Sequence, residues 1–150
     1  MSTRAFKFSL PINEAQQSNN WKILIDNVVQ QEFDPFFGTT PATEGFTNVG
    51  DYWGYYFVFG PLVFFSIVLL NDGGGSVRWG AGDILKLPFE AATRGSNLLE
   101  KHKSFPATEP THSGTVQGWF YLQSNTIVAV AAHSSGSSDD TNISGWYFRK

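Results

Sequence analysis

The chain has 150 residues and a mass of 16.6 kDa, enough for one domain that buries a core of its own without covalent staples. Ten Lys and Arg against thirteen Asp and Glu leave a net charge of -3, which excludes nucleic-acid binding through phosphate neutralisation, and the absence of cysteine excludes disulfides, thiolate metal sites and thiol nucleophiles. With 15% of residues charged and 16% aromatic, the composition is that of a folded chain rather than a disordered one.

Arg4 to Leu10 alternates, Phe6, Phe8 and Leu10 on one face and Ala5, Lys7 and Ser9 on the other, which predicts a half-buried first strand and lacks the apolar run of a secretory signal. Asn19 and Asn20 can cap a short helix from Asn20 to about Gln31, with Trp21, Leu24, Ile25, Val28 and Val29 at helical spacing. The same stretch also reads as a strand with Trp21, Ile23 and Ile25 on one face. Phe33-Asp34-Pro35 ends any helix, and extended chain is expected after it. Gly38 to Gly50 is a loop of turn formers. Tyr52 to Asn71 is twenty residues without a charge, long enough to span a membrane, but its aromatic and β-branched residues and the Gly60-Pro61 break predict two buried strands and no membrane segment.

Asn71 to Ser76 supplies residues that tolerate positive φ and so marks a hairpin-type loop, with a strand resuming over Ser76 to Trp79. Ile84 to Phe89 is strand-like and is bounded by Pro88. Arg94 to Ser113 reads as a long surface loop with a short strand inside. Thr115 to Leu122, Ile127 to His133 and Ile143 to Phe148 are strands separated by turn-forming residues. Seven to nine short strands with almost no helix predict an all-β chain, an antiparallel β-sandwich or jelly roll with one short N-terminal helix. Residues 1–48 form an arm leading into a domain at 49–150, the whole being one compact unit.

The run Gly54-Tyr55-Tyr56-Phe57-Val58-Phe59-Gly60-Pro61-Leu62-Val63-Phe64-Phe65-Ser66-Ile67, then Gly80 to Phe89 with its Leu87-Pro88-Phe89 turn, then the closing strand Ile143 to Phe148, resembles the small β-sandwich domains of tailed-bacteriophage virions. Phe33-Asp34-Pro35-Phe36-Phe37-Gly38-Thr39-Thr40 is similar to the element that precedes them, so the resemblance covers about Phe33 to Phe148. Trp146 and Phe148 stand where smaller residues are common in that group, and Arg94 to Ser113 matches no part of it. The resemblance implies a virion surface protein, usually a homotrimer, of the kinds found as head decorations, baseplate proteins and tail-fibre tips; because Met1 to Asn48 holds neither a shaft nor a heptad stretch, a structural decoration or cement role in contact with a capsid or tail protein is expected. The alternative it leaves open is a tail-fibre or baseplate module that binds host-surface carbohydrate.

His102, His112 and His133 lack the spacing that places two imidazoles on one metal, and Gly73-Gly74-Gly75-Ser76 lacks the lysine of a phosphate loop. Asp139, Asp140 and Asn142 are oxygen ligands without the rest of a calcium loop, and no Gly-Ser pair sits in a nucleophile elbow. No metal, cofactor or enzymatic reaction is therefore expected. The aromatic load is the anomaly, because one sandwich core cannot hold 5 Trp, 5 Tyr and 14 Phe on its inward faces. If Tyr55, Phe57 and Phe59 point inward, Tyr56 and Val58 point out, and Phe64 and Phe65 cannot share a face. Phe6, Phe8, Trp21, Tyr56 and Phe64 are the expected subunit or virion contacts, with Trp79 and Trp119 as aromatics for a glycan. The arm from Met1 to Leu10 either pairs with a neighbour's edge or adds a strand to its own sandwich.

Overall fold

The computed structural model describes residues 30–110, 114–134 and 139–150. The expected first strand, most of the expected helix, and Phe6, Phe8 and Trp21 lie outside the described residues. Gln31, the expected end of that helix, instead opens a strand.

The described chain is all-β. It contains β1 (Gln31–Phe33), β2 (Val49–Phe59), β3 (Leu62–Asn71), β4 (Ile84–Lys86), β5 (Thr93–Arg94), β6 (Asn97–Leu98), β7 (Ser104–Thr108), β8 (Val116–Gln123), β9 (Thr126–Ala129) and β10 (Thr141–Phe148). A single 3-10 turn spans Pro41–Glu44. Eight strands form one antiparallel sheet in the order β1-β2-β3-β10-β7-β8-β9-β4, and β5 with β6 makes a separate small hairpin. The large sheet curls into a sandwich-like fold. Its far edge returns towards its beginning, since the Lys86 N–H on β4 donates to the Pro35 carbonyl just after β1 at 2.8 Å.

Tyr52 to Leu70 is two strands, as its residue types require. Phe59 faces Leu62 across the Gly60-Pro61 turn, where Gly60 takes the positive φ of 58° that tight hairpins need. On β3, Val63, Phe65, Ile67 and Leu69 are buried, so Leu62, Phe64, Ser66 and Val68 point outward. Directly opposed residues share a face, and Tyr56 opposes Phe65 while Val58 opposes Val63. The phase of β2 is therefore the reverse of the one expected. Tyr56 turns inward and packs edge-on against Phe33 and Phe89, with ring centroids 6.0 and 5.2 Å away, and Tyr55, Phe57 and Phe59 turn outward.

The chain after β1 does not run on extended. The Asp34 carboxylate accepts the Phe36 and Gly38 N–H groups at 2.8 and 2.7 Å and folds residues 34–38 into a turn. Phe36 and Phe46, from the segment assigned to the arm, are both fully buried in the core with Phe120, Leu122, Ile127, Ile143 and Tyr147. Ser76 to Trp79 forms two isolated bridges, Thr47 to Arg78 and Trp79 to His133, in place of a strand. The segment from Arg94 is more ordered than a surface loop, since it contributes β6 and β7, and Phe105 and Ala107 of β7 are core residues.

Candidate functional site

The outward face of β2, β3 and β10 carries the candidate site. Pairing register lines up Phe57 with Phe64 and Phe64 with Trp146, one residue from each strand, and the adjacent row is Phe59, Leu62 and Phe148. The rings touch: Phe57 stacks on Phe64 at 4.7 Å and 11°, and Trp146 meets Phe148 edge-on at 5.7 Å. Phe57 and Phe59 are each 37% exposed and Trp146 is 43% exposed. A single exposed ring is ordinary on a soluble protein, but rings in register across three strands form a continuous apolar surface.

The border of this surface is polar and fixed. Lys103 places its ammonium over the Trp146 ring and pairs with Glu100 at 2.9 Å, while the other Glu100 oxygen accepts the Phe148 N–H at 2.9 Å. On the β1 side, a hollow of about 150 Å³ opens between Gln30, Tyr55, Phe57, Phe64 and Ser66. Further along the sheet, β8 presents Trp119, 48% exposed, opposite Pro106 of β7, and Tyr121 opposite Ser104.

Of the residues singled out from sequence, Phe64 lies at the centre of this face and Trp119 lies on the outward side of β8. Tyr56 does not belong to it. Trp79 is not a surface aromatic either: it is 3% exposed, its indole N–H donates to the Ala131 carbonyl at 3.1 Å, and its ring packs on Phe120 and His133. Its neighbours Arg78 and Gly80 make it look solvated, but its two backbone hydrogen bonds to His133 draw it across the curled sheet into the core. Sequence reasoning missed Phe57, Phe59, Trp146 and Phe148. The available signal was Ser66, the one polar residue of β3 before its terminal Asn71, which marks the outward phase of that strand and hence of Phe64 and Leu62.

The other chemistry-bearing group is a polar cluster at the start of β10. Ser76 is fully buried and its hydroxyl donates to Asp139 at 3.4 Å, and the Thr141 hydroxyl donates to Gln117 at 2.7 Å. Asp140 accepts the backbone and side-chain N–H groups of Asn71 at 2.9 and 2.7 Å. His133 stacks on Trp79 at 4.7 Å, and its Nε2 is buried without a hydrogen-bond partner among the described residues. Burial holds the imidazole below its ordinary pKa of 6.5, against the opposing pull of Asp139. Serine, histidine and aspartate are thus together, but the serine bonds to the carboxylate rather than to the imidazole and is closed to solvent. The Ser76 hydroxyl is thus not placed against a base that could take its proton. Asp140 and Asn142 are likewise engaged by Asn71, Ser66 and Ser144. Among the described residues, no three His, Asp or Glu side chains are grouped to hold a metal ion.

No family model, curated protein or solved structure matches this chain.

Proposed function

We propose that this protein is a structural component of a tailed-phage particle surface, a decoration or cement protein that assembles with copies of itself, as a trimer, and with a capsid or tail protein. The observation that supports the reading is the in-register row Phe57, Phe64 and Trp146. Leaving such a surface in water costs on the order of 25 cal/mol per Å² of apolar area, and covering it with a neighbour recovers that free energy. The resemblance of residues 33–148 to phage sandwich domains supplies the virion context.

Light scattering on the full chain, beside the triple variant Phe57→Ser/Phe64→Ser/Trp146→Ser, tests the assembly. The natural chain should be trimeric and the variant monomeric and folded. Antibodies raised against the chain should label purified particles of the phage that encodes it. A natural chain that is monomeric both free and on the particle, or particles that carry none of it, would sink the proposal. Labelling confined to fibre tips would transfer the assignment to receptor binding.

A further inference from the structure

A second concavity, of about 260 Å³, lies between the turn after β1, the segment after β4 and the β8–β9 hairpin. Phe37, Pro88, Phe89, Glu90, Ser124 and Asn125 line it. Three non-glycine residues of the described chain have a left-handed backbone, and two of them, Phe37 at φ 51° and Ser124 at φ 53°, are on this wall. For a bulky residue such as Phe37 that conformation is unfavourable. The Asp34 hydrogen bonds to Phe36 and Gly38 hold it there, and Phe36 anchors the turn by packing on Tyr52 and Phe46, 4.7 and 5.5 Å away. The result is a Phe37 ring 52% exposed, with the Lys86 ammonium 5.6 Å from its centre. A turn alone would be better served by glycine, as at Gly38 with φ 81°. A strained backbone that holds an apolar ring out of the core is the signature of a contact made by that ring.

We propose that this concavity is a saccharide-binding site that takes one hexose-sized unit. The apolar C–H face of a sugar suits the exposed Phe37 ring, and its hydroxyls, each both donor and acceptor, suit the Glu90 carboxylate, the Asn125 amide and the Ser124 hydroxyl. A wholly apolar ligand would strip water from Asn125 and from Glu90, whose carboxylate pairs with the Lys150 ammonium at 3.6 Å yet stays about half exposed and able to accept from hydroxyls. The site is separate from the β2–β3–β10 face, so it stands or falls independently of the particle assignment, and it uses neither Trp79 nor Trp119.

The test is an amide-shift titration of the isotope-labelled full chain with the methyl glycosides of glucose, galactose, mannose, N-acetylglucosamine and rhamnose. At least one should give saturable shifts at Phe37, Glu90 and Asn125 with a dissociation constant on the order of 1 mM. Phe37→Gly suits the backbone at that position, so it should keep the fold while weakening binding about tenfold. Phe57→Ser on the other face should bind as the natural chain does. Glu90→Gln, at an exposed side chain, provides the same test if residue 37 proves sensitive. Absence of shifts with all five glycosides, shifts located elsewhere, or undiminished binding by the folded variants overturns the proposal.

Discussion

The Tyr147 hydroxyl ties the last strand to the chain after β4 by donating to the Phe89 carbonyl at 2.9 Å and accepting the Phe89 N–H at 3.2 Å. Burial pushes this phenol well above its ordinary pKa of 10.0, so it stays protonated and keeps both roles. Tyr147→Phe retains the ring and leaves two Phe89 backbone groups without their partner. Desolvation of those groups outweighs any change in packing, so the variant should lose about 1–3 kcal/mol in urea denaturation. A loss below about 0.5 kcal/mol would mean that water takes over the role of the hydroxyl. Neither partner of this bond was legible in the sequence, because the contact joins residues 58 apart and depends on how the sheet curls. Trp79 was misread for the same reason: composition around a tryptophan does not say whether the chain bends it into the core.

At the scale of elements, β10 is the strand that β3 and β7 share, and Gly145 sets how closely they approach. A β-carbon at 145 would collide with the Phe105 ring, which packs edge-on against Phe65 at 4.9 Å. Phe105 is buried and has no room to retreat, so Gly145→Ala should cost about 1–3 kcal/mol as an overpacked core position. Combining it with Phe105→Leu should recover part of that loss in thermal unfolding, because the two changes share one contact. Strictly additive losses would show that Phe105 is not what excludes the side chain. The strands themselves were readable where turn chemistry brackets them, as at Gly60-Pro61 and at Ser124-Asn125, where the two-residue loop joins β8 to β9. The phase of β2 was not. With aromatic residues on both sides of Tyr52 to Phe59, alternation carries no inward or outward label, and only the pairing of Tyr56 with Phe65 decides it. Half of the candidate face was therefore hidden from sequence reasoning while Phe64, on the strand that Ser66 labels, was not.

At the scale of the molecule, the described core begins at Phe36 and the described sheet begins with the three residues of β1, which pair only with residues 54–56 of β2. Among the described residues, Val49–Trp53 have no strand on that side. A stretch of edge that the described strands leave unpaired is where a further strand adds backbone hydrogen bonds. Met1 to Leu10 has the alternating Phe6, Phe8 and Leu10 to supply one, either to its own sheet or to a neighbour's. Deleting Met1 to Leu10 should leave a folded domain with an unchanged unfolding transition, since every buried residue of the described core lies at or after Phe36. The same deletion should abolish binding to particles. A protein that binds the assembled particle and not its parts stabilises assembly by about 2.7 kcal/mol when present at 100 times its dissociation constant, so particles offered the truncated chain should melt as bare particles do. A truncated chain that unfolds would place the arm in its own sandwich. One that still binds would move attachment to the β2–β3–β10 face, and particles that lose infectivity but no thermal stability without the protein would point to host recognition instead of cementing.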